Sequence, residues 1–588
     1  DALPILQSGL NYGAWRLRNN GAWRYTESNG QRHSSWQNIG TWAQRTIIPL
    51  KSELVLGDSN TGNDVFDSVG FRGGRLYSSD SMYPDSLQGY APTVRGIART
   101  PAKVVIRQNG YVIYQSYVQP GAFAITDLNP TSSSGDLEVT VEEKDGSQQR
   151  YTVPYSTVPL LQREGRWKYD LVAGDYRSGN SEQDTPFFTQ GTMIAGLADG
   201  YTLYGGTQLA SRYTAIAIGA GKNLGDWGAV SLDLTHARSQ LADNQHYTGD
   251  SVRLRYSKLL NNIGTRVNFF SLRYSTAGFY TLSDTTYKGM AGGAPKQTVE
   301  DDGTITTHYD TVYNLHMSRK AKNQLLLSQP MGEYGALSLS WDQQTYWNTS
   351  KTTQSLQFAW NATFRNLSLG ISAQRSSGLY DNKKDNILAL SLSVPLGNPA
   401  LSTRLRFTAT HADPAGTTAS TGVSGYLPGQ ENLFYSVNQR YSAQQHYGGD
   451  AALQYEGAWG DYNLGYSYAG DSRNLSYGMS GGAVLHEDGL TLSQPLGNTN
   501  ILVKAPGASH VAVLNHKGIK TDSRGYAVIP YATPYRVNQV ALDVTTVGND
   551  VELENAIANK IPTDGALVRA TLTTRQGAKA MFIVRSEE

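Results

Sequence analysis

Apolar and polar residues alternate with a period of two along most of this chain. The segments 337–342, 388–394 and 462–468 each place Leu, Trp, Tyr or Val at every second position, with small or polar residues between. Successive side chains of a strand point to opposite faces, so this period predicts β-strands with one apolar and one polar face. The pattern extends over residues 1–91 and 160–497 and predicts a large all-β region.

Two kinds of all-β structure fit this pattern, a soluble β-sandwich and a transmembrane β-barrel. The polar face is rich in Ser, Thr, Gly and Asn, and Tyr and Trp cluster near segment ends, which favours the barrel. Tight breaks at 223–228 and 332–335 contrast with longer polar ones at 238–250, 288–309 and 412–432, as in outer-membrane barrels. At roughly 18 residues for a strand and its connection, about 430 residues form more than 20 strands around an open lumen.

Residues 92–159 interrupt this region with short apolar runs of a different kind. Asn109-Gly110 and Asp145-Gly146 separate such runs, and these dipeptides are strong hairpin signals. The insert therefore reads as a small β-sandwich, and its position within one interstrand connection predicts that it closes the lumen. Four residues of its linkers are candidate hinges: Gly89, Pro92, Pro154 and Pro159.

Charged residues in and near the insert are candidates for controlling its release. Basic residues come early in the insert and acidic residues come late. A solvated sandwich surface would carry such charges too. The hypothesis is that some of them hold the closed state, and charge reversal at Arg95, Arg99 or Asp64 is predicted to raise spontaneous opening. The full candidate set is Asp64, Arg95, Arg99, Arg107, Glu138 and Glu142.

Residues 498–588 form a second predicted β-sandwich after the last barrel strand. Alternating strand and turn signals run from Ile501 through 521–531 to Val568. The chain divides accordingly into barrel strands at 1–91, the insert at 92–159, the remaining barrel strands at 160–497, and this C-terminal unit.

Composition and motifs argue against a catalytic or nucleic-acid-binding protein. The 588 residues carry a formal net charge of +1 and no cysteine, so neither a basic nucleic-acid surface nor a thiolate metal site is expected. The ten histidines are scattered and form neither HExxH nor another metal spacing, and the sequence contains no phosphate-loop motif. We expect no enzyme, no metal and no cofactor.

Several stretches together resemble the fimbrial outer-membrane usher family, and within it the ushers of type 1 pili. They include the residues at 108–111, 160–165, 174–177, 204–209 and 521–531. The resemblance covers essentially the whole chain. It implies a barrel of about 24 strands, a plug in the connection after the sixth strand, and periplasmic domains at both ends.

The resemblance also implies details of the pore and its ends. The hairpin at 56–68 would hold the plug. The family's N-terminal recruiting domain is expected to be missing before Asp1, and its second C-terminal domain after about Ala580.

The function implied is assembly and secretion of pilus subunits through the plugged pore, in the outer membrane and in contact with its lipid. The usher would receive periplasmic chaperone–subunit complexes, including that of the tip adhesin, and promote exchange of donor strands. An exposed apolar patch on the C-terminal unit is expected to bind these complexes, and an oligomer in the membrane is left open. The candidate binding residues are Lys504, Arg524, Tyr526, Tyr531 and Tyr535.

Two other functions remain open from the sequence. A gated porin with a constriction domain would also combine a barrel with an insert, and it would pass solutes without any chaperone–subunit partner. A soluble protein of several sandwiches would fit the negative mean hydropathy of −0.42 and would dissolve without detergent.

Overall fold

Twenty-three strands of the protein form one antiparallel sheet in the computed structural model. Each strand of this sheet pairs with the strands that precede and follow it in the sheet. The structure describes residues 5–28, 31–83, 94–99, 102–108, 111–125, 137–143, 148–153, 160–162, 164–224, 228–260, 265–290, 296–299, 305–308, 314–379, 384–397, 402–413, 415–444, 446–548 and 550–577.

The first twelve wall strands come from both sides of the insert. They are β1 (Ile5–Tyr12), β2 (Trp15–Ser28), β3 (Gln31–Ile47), β4 (Ser52–Asn60), β5 (Gly70–Ser78), β12 (Trp167–Tyr176), β13 (Phe187–Gly196), β14 (Tyr201–Ala210), β15 (Tyr213–Asn223), β16 (Ala229–Gln240), β17 (His246–Leu260) and β18 (Thr265–Ser275).

The remaining eleven wall strands follow a long connection. They are β21 (Arg319–Pro330), β22 (Ala336–Tyr346), β23 (Thr352–Phe364), β24 (Leu367–Ser377), β25 (Lys384–Pro395), β26 (Arg404–Ala412), β27 (Gly416–Leu427), β28 (Gln430–Ser442), β29 (His446–Gly457), β30 (Gly460–Ala469) and β31 (Ser472–Ser480). The connection contains a short helix, α1 (Leu282–Thr285), and a hairpin of β19 (Lys296–Val299) and β20 (Ile305–His308).

Exposure along the wall strands is the reverse of that in a water-soluble protein. In β15, Ile218 is 70% exposed while the neighbouring Ala217 is buried. In β16, Leu232 is 52% exposed while Ser231 and Asp233 are buried. Large apolar side chains that point outward while polar ones point inward are expected where hydrocarbon surrounds the sheet. The predicted alternation is therefore present, with its apolar face outside.

Among the described residues, no helix combines the length and the apolar character needed to cross a membrane.

Two of the predicted loops are partly strand in the structure. The break at 238–250 shrinks to residues 241–245, because β16 and β17 extend into it. The stretch 412–432 contains the whole of β27. Its Gly, Ser and Thr residues read as a loop in the sequence, but Ser420 is buried, and small polar residues of this kind form the inward face of the strand.

The insert lies between β5 and β12, the fifth and sixth strands of the sheet. The resemblance implied about 24 strands and a plug after the sixth, so both counts are one lower in the described sheet. Two sheets form the insert around a core that includes Val104, Val139 and Tyr151. Its strands are β6 (Val94–Ala98), β7 (Ala102–Gln108), β8 (Tyr111–Val118), β9 (Gly121–Ile125), β10 (Leu137–Glu143) and β11 (Gln148–Val153).

The C-terminal unit is all-β and has its own apolar core, which includes Val503, Val511, Val540 and Leu572. A hairpin of β32 and β33 connects it to the last wall strand. Its strands are β32 (Gly482–His486), β33 (Gly489–Ser493), β34 (Asn500–Lys504), β35 (Tyr526–Ile529), β36 (Asn538–Ala541), β37 (Val551–Leu553), β38 (Ile557–Lys560), β39 (Leu567–Thr571) and β40 (Thr574–Gln576).

Candidate functional site

The insert contacts the wall far from the strands to which it is joined. Ile97, which is 3% exposed, packs with Ile387, Ala389 and Ala412. These residues lie on β25 and β26, the seventeenth and eighteenth strands of the sheet, whereas the insert emerges between the fifth and sixth. A domain that reaches a strand about half the sheet away lies within the space that the sheet encloses.

Two further described contacts between insert and wall involve uncharged groups. Asn438 donates from Nδ2 to Gln119 Oε1 over 3.2 Å. Gly121 has a φ of +112°, and a Cβ there would lie 3.1 Å from Thr408 Cγ2. A side chain at this position would be strained by the backbone and crowded by the wall.

A second element, residues 61–69 between β4 and β5, lies against the opposite part of the wall. We call it the lumenal segment. Its Val65 and Phe66 pack in one cluster with Phe188 and Tyr204 of the wall. A Cβ on Gly206 would lie 3.0 Å from the Phe66 ring, so the ring reaches the wall where a strand lacks a side chain.

Buried arginines of β17 hold the backbone of the lumenal segment. Arg253 donates to Val65 O over 2.8 Å, and Arg255 donates to Asp64 O over 2.8 Å. Both guanidinium groups also bond to Asp233 of β16, at 3.1 and 3.2 Å. A buried charge is tolerated when it is paired and hydrogen-bonded, and this cluster uses one carboxylate and two carbonyl oxygens.

The acidic residues of the lumenal segment also pair with the wall. Asp64 bonds to Lys168 Nζ at 2.9 Å, and Asp67 forms a two-bond pair with Arg273 at 2.8 and 2.9 Å. Desolvation alone would raise the pKa of Asp67, but the charge and hydrogen bonds of Arg273 hold that pKa below its ordinary value. The sequence placed Asp64 beside the gate, and the structure places it at this wall contact. Its role in opening stays a prediction.

The other candidate gating charges make their described contacts within the insert. Arg99 lies 3.6 Å from Glu143, Glu142 lies 3.7 Å from Lys103, and Arg107 donates to Thr140 over 3.4 Å. The backbone oxygen of Arg95 accepts a bond from Tyr151, whose pKa is raised by burial. Glu138 is exposed on β10.

These contacts stabilise the insert itself, so a direct role of the charges in gating stays untested. The candidate hinges Gly89, Pro92, Pro154 and Pro159 lie outside the described residues.

The C-terminal unit docks on inward-facing residues at one rim of the wall. Its Asp564 accepts a bond from Gln44 over 2.8 Å, and its Tyr535 hydroxyl bonds to Glu53 and, at 3.0 Å, to Thr46. Burial and the neighbouring Glu53 raise the pKa of Tyr535. Tyr535 was a candidate for partner binding, and here it faces the wall.

The same unit also reaches the other end of the sheet. Lys517 lies 3.8 Å from Glu456, and Gln494 donates to Gly457 O over 3.2 Å, both at the end of β29. One small unit that contacts β3 and β4 as well as β29 requires the two ends of the sheet to lie close together. The wall is therefore curled into a barrel, and this rim carries the C-terminal unit.

Three other candidate binding residues lie where the β32–β33 hairpin packs on the C-terminal unit. Lys504 pairs with Asp488 at 2.7 Å, and Arg524 donates to Leu490 O over 2.5 Å. Tyr526 is buried beneath them, whereas Tyr531 is 59% exposed. Whether any of these residues binds a partner stays a prediction.

The outer face of that hairpin was not among the predicted binding residues. Leu485, which is 80% exposed, pairs across the hairpin with Leu490, and Ala483 pairs with the exposed Leu492. The alternation of residues 482–493 was the signal that could have identified this exposed apolar face. In the described part of the chain, no group of three or more metal-ligating side chains occurs.

The comparisons with known proteins agree with this architecture. A family model described as outer membrane usher protein matches residues 5–572. The outer membrane usher protein FimD of Salmonella typhimurium is 57% identical across 99% of this chain and 68% of its own length. FimD of Escherichia coli is 45% identical across 98% of this chain and 67% of its own length.

Two solved structures share the fold. The translocation pore of the P pilus usher PapC matches 80% of this chain and 92% of its own, with 26% identity and a TM-score of 0.65. An Escherichia coli P pilus tip assembly intermediate, PapC-PapD-PapK-PapG, matches 96% of this chain and 68% of its own, with 27% identity and a TM-score of 0.68. The chain belongs to the outer membrane usher family.

Proposed function

We propose that this chain is the gated pore of an outer-membrane usher, which secretes and assembles pilus subunits. The contact of Ile97 with Ile387, Ala389 and Ala412 carries the proposal. It supports an insert that reaches the far wall of the lumen. A pore of 23 strands with that insert removed is wide enough for a folded protein domain.

The partners are periplasmic chaperone–subunit complexes, including that of the tip adhesin. One solved structure that matches 96% of this chain is a P pilus tip assembly intermediate, PapC-PapD-PapK-PapG. Secretion by this chain needs no catalysis of its own, because an incomplete subunit gains free energy when a neighbour's strand completes its sheet. We therefore propose a platform that orients two complexes and raises their effective concentration, and not an enzyme.

Opening is a two-state change of the insert. The closed state has an apolar contact and a neutral hydrogen bond at the far wall. A complex that binds the open state better than the closed state shifts this equilibrium toward opening.

The apolar face of the β32–β33 hairpin is the docking surface that we propose for chaperone–subunit complexes. Leu485, Leu490 and Leu492 are its exposed side chains. Changing all three to Ser in the full chain should weaken capture of a purified chaperone–subunit complex at least about tenfold, since a few buried apolar anchors dominate most interfaces. The matched control is Leu514→Ser, which alters an exposed leucine elsewhere in the same unit. Equal capture by both variants would remove this role from the hairpin.

The gate is tested by deleting residues 92–159 and reconstituting the chain in planar bilayers. The deletion should give a large, steady conductance, while the intact chain stays mostly closed. Unchanged conductance would refute the gate. Flux of small solutes at the same rate through the intact chain would favour a porin instead.

A further inference from the structure

A loop of the C-terminal unit holds the chain just before it enters the insert. Arg536 donates from Nη1 to Ser81 O over 3.3 Å and from Nη2 to Tyr83 O. Tyr83 is the last described residue before the insert. The adjacent Tyr535 is bonded to the wall through Glu53, so the loop is fixed to the rim while it holds these carbonyl groups.

Tyr83 also connects the chain segment that precedes the insert with the segment that follows it. The guanidinium of Arg166, the residue before β12, lies 3.7 Å from the centre of the Tyr83 ring, and Lys51 Nζ lies 4.4 Å from it. Cations over an aromatic face are attracted to it. Arg166 bonds to Asp80 at 3.1 Å as well. The two chain segments that bear the insert are therefore held to each other.

The contacts continue from this pair into the lumen. Lys168 of β12 bonds to Asp80 at 3.4 Å and to Asp64 of the lumenal segment at 2.9 Å. A series of contacts thus leads from Arg536 to Tyr83 and from the Tyr83 ring to Arg166. It continues through Asp80 and Lys168 to the lumenal segment. Such a series couples two sites only if it acts on an element that has two states, and the proposed gate is such an element.

We propose that Arg536 is a latch that couples the docking of the C-terminal unit to closure of the pore. This inference rests on the gate function proposed above. With Arg536 in place, the carbonyl groups of Ser81 and Tyr83 are fixed, and the chain that leads into the insert is held at the rim. A partner that binds the C-terminal unit better when the loop at 533–536 is released then favours the open state.

The latch is tested in planar bilayers with the full chain. Arg536→Gln should raise the probability of spontaneous opening by about fivefold or more, within the usual range for coupled sites. Arg536→Lys keeps the charge but lacks the planar fork that bonds two carbonyl groups, so its opening should be intermediate. Arg575→Gln is the matched control, because Arg575 is an exposed arginine of the same unit and pairs with Glu554.

Cross-linking supplies the opposite test, because the chain contains no cysteine. Ser81→Cys combined with Arg536→Cys, bridged by a cleavable bismaleimide, should open less than the uncrosslinked protein. Cleavage of the bridge should restore opening. Cross-linked and cleaved protein that open equally often would overturn the latch.

Deletion of residues 92–159 separates the latch from the gate. If the deletion variant conducts steadily while Arg536→Gln opens no more often than Arg575→Gln, the latch is rejected and the gate function of the insert is retained. If the deletion does not leak, the gate itself fails.

Discussion

The lumenal segment at 61–69 and the insert at 94–153 both lie inside the wall, but they contact it through different chemistry. The segment is held by buried arginines, by paired carboxylates and by an aromatic cluster. The described contacts of the insert with the far wall include an apolar side chain, an amide hydrogen bond and a close approach of a glycine. Removing one partner from a buried ion pair is costly, whereas separating small neutral surfaces costs much less. Among the described contacts, the ion pairs belong to the lumenal segment, and those of the insert at the far wall are neutral.

The largest loss of stability is expected when the buried arginine cluster that holds the lumenal segment is disrupted. Asp233→Asn leaves Arg253 and Arg255 buried without a carboxylate, which should cost about 3–5 kcal/mol of stability. Thermal unfolding of the detergent-solubilised barrel measures this loss. Asp471→Asn, at an exposed turn, should change stability by less than about 0.5 kcal/mol. If Asp233→Asn and Asp471→Asn have the same melting temperature, the arginine cluster does not fix the lumenal segment.

A smaller effect is expected where the insert meets the far wall. Ile97→Ala removes the buried side chain that contacts Ile387 and Ala412 and should weaken the closed state by about 2–3 kcal/mol. The predicted result is more frequent opening in single-channel recordings, with the barrel melting as before. Tyr117→Ala changes an exposed aromatic residue of the insert and should leave opening unchanged. More frequent opening in Tyr117→Ala would point to destabilisation of the insert and not to loss of the contact.

Loss of the hydrogen bond between Asn438 and Gln119 should raise opening less than loss of the Ile97 side chain. Gln119→Ala removes the acceptor of the bond from Asn438, and a neutral hydrogen bond contributes about 0.5–1.5 kcal/mol. Opening should rise by less than it does in Ile97→Ala. A double-mutant cycle with Asn438→Ala, which also loses its bond to Asp450, isolates the contribution of the pair. A coupling energy of zero would show that this bond does not hold the insert.

The smallest effect concerns pH and the lumenal segment. Arg273 keeps the pKa of Asp67 below its ordinary value, so the folded protein binds that proton less readily than the unfolded chain. The stabilisation is complete above the ordinary Asp pKa of about 3.9 and is lost as pH falls below it. The Asp67 side chain is 43% exposed, so the contribution should stay under about 1 kcal/mol. Asp67→Asn should abolish this acid dependence of the melting temperature. An unchanged dependence would assign it to other carboxylates.

The alternation of apolar and polar residues was enough to predict strands, and the Asn-Gly and Asp-Gly dipeptides were enough to place the insert. The strand β27 was missed because Gly, Ser and Thr are typical of loops in soluble proteins, whereas in this wall they face the lumen. Charged residues in the polar phase of adjacent strands, such as Asp233 and Arg255, were an available signal for a buried cluster. That signal was not used.

The sequence does not determine which partners the charged residues of the insert contact. Arg99 was predicted as a gating charge from composition alone, and its described ion pair is with Glu143 inside the insert. Tyr535 and Arg536 carry no distinctive pattern, and only the docking of the C-terminal unit brings them to Glu53 and to the carbonyl groups before the insert.

The sequence by itself determined the strands, the inserted sandwich and the C-terminal unit, because side-chain period and turn chemistry are local properties of the chain. The tertiary structure alone decided which side of the wall each element contacts, since ion pairs and packing between residues more than 100 positions apart depend on how the sheet curls. The contrast between the buried arginine contacts of the lumenal segment and the apolar contact of the insert belongs to that second kind of information.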